Sequence, residues 1–161
     1  CTGLPRLRSV SGVAHGRLAR SIPDYAYTSM WASEPNPKGV CDVEEYVSGL
    51  VRTDGPAISF EGAWAQNIGE GGMYIEFLGD RAGIRQKYCG EVTIHGAKNG
   101  HLYKTEPSLR CRDMYQNEID DFLRCAALGA ASRADIAQVL PAQRVLDGFY
   151  ASAKKGAEVR M

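Results

Sequence analysis

The residue types best suited to holding a ligand stand together at Trp64, Gln66 and Asn67, just ahead of glycines at 69, 71 and 72. An indole face packs on the apolar side of a sugar ring, and carboxamides both donate to and accept from hydroxyls. The segment therefore has the makings of a site for a small polyhydroxylated compound. Trp64, Gln66 and Asn67 themselves supply no acid, base or nucleophile, so they bind rather than react. The same residues also read as a core tryptophan followed by a loop that only joins two strands, and the spacing alone leaves both open.

No complete catalytic constellation appears elsewhere. The glycine cluster lacks the G-x-G-x-x-G spacing of a dinucleotide loop, since Tyr74 stands three residues after Gly71 and a strand follows where a helix is required. There is no phosphate-loop lysine motif and no G-x-S-x-G elbow around Ser11-Gly12. The histidines are His15, His95 and His101. If Asn99-Gly100 is a hairpin turn, His101 faces Lys98 and His95 faces Lys104, so the two histidines lie on opposite faces of the ribbon and share no metal. Glu44-Glu45 and Asp120-Asp121 are adjacent pairs that point to different faces, which reads as solvated charge rather than a carboxylate dyad. Cys125 lies near the apolar stripe of its helix and reads as a small core residue. We thus expect no catalytic, cofactor-binding or metal-binding residue within this chain.

The elements that position Trp64 can be read from the pattern. Residues 7–14 alternate as a strand. Residues 43–52 and 57–66 flank Asp54-Gly55, a strong hairpin signal. Ile58, Phe60, Gly62 and Trp64 share one face of the second strand, and positions 57, 59, 61, 63 and 65 share the other. Residues 73–78 continue the sheet. A turn at 79–82 leads into 83–88, and setting Leu78 opposite Gly83 sets Glu76 opposite Arg85. Residues 91–97 and 101–105 flank Asn99-Gly100. The period then changes: Tyr115, Ile119, Phe122, Leu123 and Ala126 recur at helical spacing behind Asp113, with Gly129 at the end. A second helix runs from a start at Ser132 and Asp135 towards Gly156, with Pro141 expected to kink or break it. Strands followed by helices predict an α+β fold, a mainly antiparallel open-faced sheet with helices on one face. The excursion at 19–41, with Tyr25, Tyr27, Met30 and Trp31, is too apolar for a free linker and is expected to pack against something.

Bulk properties narrow the classes. The chain has 161 residues, enough for one domain over 1–161. Nineteen basic and nineteen acidic residues give a net charge of zero, which argues against nucleic acid as a partner, and the arginines at 6, 8, 17 and 20 read as a solvated run. No apolar run approaches the ~20 residues that span a bilayer. Five cysteines, an odd number with no C-x-x-C pair, fit reduced thiols in a cytoplasmic protein.

Several of these segments together resemble a known family. The order Val43-Glu44-Glu45-Tyr46, Gly49-Leu50-Val51-Arg52, Ile58-Ser59-Phe60-Glu61-Gly62-Ala63-Trp64-Ala65 and Glu76-Phe77-Leu78-Gly79-Asp80-Arg81-Ala82-Gly83 is similar to the C-terminal domain of the Gfo/Idh/MocA oxidoreductases. The helix from Tyr115 to Phe122 and the end from Leu146 to Val159 resemble the family's helices after the sheet. Asp54-Gly55 stands where the family usually has an N-G type turn, and Ala63 where a serine is common before the tryptophan.

The resemblance implies a substrate and oligomerisation domain. Its parent would bind NAD or NADP on a preceding Rossmann domain and move a hydride to or from a sugar, polyol or related compound. The family's lysine in an E-K-P motif and its histidine motif carry the proton chemistry. Neither is present here, and Thr105-Glu106-Pro107 is no substitute. The chain begins at Cys1 in mid-pattern, as if just after that histidine, and alone it is expected to be inactive. Carried over are the loop after Trp64 as part of the substrate cleft and the open sheet face, with Tyr74 and Leu78, as a self-complementary interface of a homodimer or homotetramer. The alternative is a stand-alone binding or scaffold domain of the same fold.

Overall fold

The computed structural model describes residues 5–18, 38–40, 42–67, 71–88, 90–109 and 113–161. Most of the 19–41 excursion lies outside them. The strands are β1 (Leu7–His15), β2 (Tyr46–Thr53), β3 (Ile58–Ala63), β4 (Tyr74–Leu78), β5 (Ala82–Lys87), β6 (Val92–Lys98), β7 (His101–Thr105) and β8 (Val159–Arg160). The helices are α1 (Met114–Leu128) and α2 (Ile136–Lys155). The fold is α+β with antiparallel pairing throughout, as the alternation predicted.

The strands divide into two four-stranded sheets, ordered β3-β2-β1-β8 and β4-β5-β6-β7. They do not run on as one sheet: β3 ends at Ala63, and β4 pairs with β5. The local turn signals specify each hairpin but not whether β4 continues beside β3. The chain forms two compact units, one from residues 1–67 with 131–161 and one from 68–130.

In the first unit α2 lies along the sheet. Val10 on β1 pairs with Val51 on β2, and both are fully buried together with Phe149 of α2. Each such burial contributes roughly 1.5–3 kcal/mol. The helix approaches closely because small residues face it. A Cβ on Gly12 would collide with the Phe149 ring, and one on Gly49 would lie 2.6 Å from Phe60. Asp135 caps α2 by accepting from the Ala137 N–H at 2.7 Å. Ser132, expected to share that role, instead accepts from the Ala134 N–H ahead of the helix. Pro141 does not break α2, which continues to Lys155. A proline this close to the helix start removes one backbone bond, and the apolar contacts of the later turns hold the rest.

In the second unit the expected register is met: Leu78 pairs with Gly83 and Glu76 with Arg85, whose charged groups are 3.5 Å apart. Asn99 and Gly100 have φ of 53° and 77°, the left-handed geometry of a two-residue hairpin. Asp113 caps α1, accepting from the N–H groups of Tyr115 and Gln116 at 2.8 and 3.1 Å. The apolar stripe of α1 is exposed, with Ile119 at 53% and Phe122 at 69%. Cys125 is therefore no core residue. The residue is half-buried, with its sulfur 4.0 Å from the Asp121 carboxylate. Among the described residues no helix is long and apolar enough to cross a membrane.

Candidate functional site

One end of the first sheet gathers its aromatic and polar side chains. The register brings His15, Tyr46 and Ala63 side by side. The His15 and Tyr46 rings stack with centroids 6.1 Å apart, and the Tyr46 hydroxyl donates to Glu61 at 3.0 Å.

Trp64 follows immediately. It remains 42% exposed, so it is not a core side chain. Its backbone N–H donates to the Glu45 carbonyl at 3.1 Å, and its indole Nε1 donates to the Glu44 carbonyl at 2.8 Å. Ala65 turns inward and is 2% exposed, while Gln66 and Asn67 are exposed. An anchored, partly exposed indole followed by two accessible carboxamides can stack on an apolar ring face and bond to hydroxyls. The glycine at 69 lies outside the described residues.

Glu44 and Glu45 are not the solvated pair expected from sequence. Glu45 is only 5% exposed, and its carboxylate accepts from the N–H groups of Arg17 and Leu18. Its own N–H donates to the His15 carbonyl at 2.9 Å, which draws this residue in beside the end of β1. Glu44 is half-buried and accepts a hydrogen bond from the Tyr150 hydroxyl of α2. That bond, followed by burial and the charge of Glu44, pushes the Tyr150 phenol above its usual value. Glu44 reads as solvated charge, and Tyr46 and Tyr150 carry no site role in the sequence, because the partners of all three lie at a distance along the chain. The one local signal was the adjacency of Tyr150 to the core residue Phe149.

The opposite end of the same sheet holds an apolar groove of about 410 Å³ between α2 and the strands, lined by Leu7, Val51, Ile58, Phe60, Val145 and Leu146 among others. Thr53 is the lone lining residue with a polar side chain, so this groove cannot satisfy a polyhydroxylated ligand.

His95 pairs with Lys104 and His101 with Lys98, which places the two histidines on opposite ribbon faces. Among the described residues no three His, Cys, Asp or Glu side chains converge as a metal site. The described residues also do not fit a dinucleotide. The glycines at 71 and 72 lead into a strand, and at the starts of α1 and α2 the carboxylates of Asp113 and Asp135 already accept from the N–H groups of Tyr115, Gln116 and Ala137.

Comparison with known proteins agrees with this architecture. Among curated proteins none matches the chain. Solved structures that share its fold include three oxidoreductases. An aldose–aldose oxidoreductase from Caulobacter crescentus, complexed with glycerol, is 15% identical with a TM-score of 0.69, matching 98% of this chain and 42% of its own. A UDP-N-acetylglucosamine 3-dehydrogenase from Acidithiobacillus ferrooxidans is 14% identical with a TM-score of 0.64, over 92% of this chain and 42% of its own. An oxidoreductase domain protein from Kribbella flavida is 15% identical with a TM-score of 0.71, over 97% and 46%. The chain thus spans less than half the length of each. The family model described as the oxidoreductase family, C-terminal alpha/beta domain, matches residues 22–161, and the chain belongs to that Gfo/Idh/MocA family.

Proposed function

We propose that this chain is the substrate and oligomerisation domain of an NAD(P)-dependent oxidoreductase acting on a sugar, polyol or related hydroxy compound in the cytoplasm. Trp64, Gln66 and Asn67 contact the substrate. The dinucleotide and the proton-transferring residues belong to a separate Rossmann domain of the same enzyme, and this chain alone does not catalyse. The observation that carries the reading is the Trp64 indole, anchored by its Nε1 yet 42% exposed, with the accessible Gln66 and Asn67 beside it. Family membership supports hydride chemistry as the reaction class. The open face of the first sheet, with Ser59, Glu61 and Ala63, serves as a subunit interface of a homodimer or homotetramer.

The test is made on the NAD(P)-linked enzyme that contains this domain. Trp64→Ala and Asn67→Ala should each raise KM for the sugar or polyol about tenfold, the effect of losing roughly 1.4 kcal/mol of contact. Binding of NAD(P) should be unchanged. Unaltered turnover in both variants would remove the segment from the site.

A further inference from the structure

We propose that Tyr150 is a positioning residue whose hydroxyl, through the Glu44 carboxylate, fixes the Trp64 indole at the end of the sheet. This rests on reading Trp64 as a substrate contact, and it adds a residue of α2 to that site.

The β3 ladder ends with Ala63 opposite Tyr46, so no strand pairing holds the tryptophan. Its indole and its backbone N–H instead bond to the carbonyls of Glu44 and Glu45. Where those carbonyls sit decides where the indole sits. Glu44 itself precedes β2, which starts at Tyr46, and so also lies outside the ladder. Its neighbour Val43 is 52% exposed. The tie that reaches the Glu44 side chain is the Tyr150 hydroxyl, from 106 residues further along the chain.

Tyr150 is well placed for this task. The preceding residue, Phe149, is 2% exposed and meets Phe60 edge-on with ring centroids 5.3 Å apart. That packing locks α2 against the sheet and sets the angle at which Tyr150 leaves the helix. The Tyr150 ring also contacts Phe149 edge-on at 5.5 Å, a contact that does not need the hydroxyl. With half of Tyr150 exposed, the hydroxyl adds little to folding, and its consequence is the orientation of Glu44. The phenol, whose ordinary value already lies well above neutral pH and is raised further by the bond to Glu44, is a hydrogen-bond donor at neutral pH.

The experiment uses the full chain with Trp31→Phe, which leaves Trp64 as its single tryptophan. Tyr150→Phe should shift the Trp64 emission to longer wavelength and increase its quenching by iodide, with far-UV circular dichroism unchanged. Glu44→Ala should do the same, and it serves as the second variant if Tyr150→Phe fails to fold. Glu44→Gln keeps an acceptor oxygen and should restore most of the parental emission. In the NAD(P)-linked enzyme, Tyr150→Phe should raise substrate KM about three- to tenfold, the consequence of losing one hydrogen bond's orientation, with NAD(P) binding unchanged. Parental emission and quenching in both Tyr150→Phe and Glu44→Ala would overturn the proposal. Altered emission together with Trp64→Ala kinetics identical to the parent would leave the positioning intact and sink the substrate-contact reading instead.

Discussion

Ser9 and Glu158 tie the end of the chain to the first sheet, and their bond is sensitive to pH. The Ser9 hydroxyl donates to the Glu158 carboxylate, which also meets Arg52 at 2.6 Å. The hydrogen bond from Ser9, with the arginine charge behind it, holds the Glu158 carboxyl below its ordinary value of 4.5. A carboxylate with a lowered native pKa stabilises the fold fully above its unfolded pKa, and the effect is lost as pH falls through the lowered value. The two-residue strand β8 beside it pairs with Ser9 and Val10, and the Met161 N–H closes the ladder on the Arg8 carbonyl at 3.0 Å. We expect the hydrogen-exchange protection of the Met161 amide to be constant down to about pH 5 and to drop towards pH 3. In Glu158→Gln it should be low at neutral pH and nearly flat. A parental profile flat across that range would show that the carboxylate does not hold β8. Neither this contact nor Tyr150–Glu44 was legible in the sequence, since each joins residues more than a hundred positions apart. Trp64, Gln66 and Asn67 could be put forward from the sequence, because the chemistry proposed for them is carried by side chains close together in the chain.

Among the elements, the sequence spoke clearly wherever a single local rule governs. Asp113 and Gly129 bound α1 as their types require, Asp54-Gly55 joins β2 to β3 as a hairpin, and Asn99-Gly100 turns its hairpin in the expected register. It spoke less clearly where the decision is non-local. Whether β4 joins β3 or only β5 depends on packing that no turn residue encodes, and the continuation of α2 past Pro141 depends on the contacts of its later turns. Gly12 was not singled out either, although it permits the closest approach in the first unit. The Phe149 ring occupies the space a Cβ would need, and the ring is locked between Phe60 and the strand. Gly12→Ala should therefore destabilise the first unit by about 1–3 kcal/mol through overpacking, whereas alanine elsewhere in an extended strand would cost nothing. The readout is the thermal or urea midpoint, with Gly12→Ala/Phe149→Leu as the compensating pair. A midpoint for Gly12→Ala equal to the parent would show that α2 shifts freely, and the link from Phe149 through Tyr150 to Trp64 would lose its rigidity.

For the molecule as a whole, the exposed apolar surface is the property with the largest consequence. In the second unit one sheet face carries Ile75, Phe77, Ile84 and Tyr103, which remain 60%, 41%, 39% and 43% exposed. In α1, Phe122 and Leu123 are 69% and 56% exposed. Contiguous apolar surface of this kind is unusual on a monomer and drives association at about 25 cal/mol per Å² removed from water. With formal net charge zero, long-range repulsion does not oppose the encounter. A specific homo-oligomer needs roughly 1,000 Å² or more of buried surface, which two such faces placed together can supply. The isolated chain should therefore run in light scattering at micromolar concentration as a dimer or larger, well above its 17.5 kDa. Phe77→Lys and Ile84→Lys sit on the apolar face and should shift the population towards monomer, because a charge buried there without a partner is costly. Ser59→Lys, on the open face of the first sheet, separates the alternatives: if it dissociates the oligomer and the other two do not, the interface lies on the first sheet, as proposed from its self-complementary small residues. A clean monomer of the parent chain at that concentration would remove both surfaces as interfaces of the isolated chain.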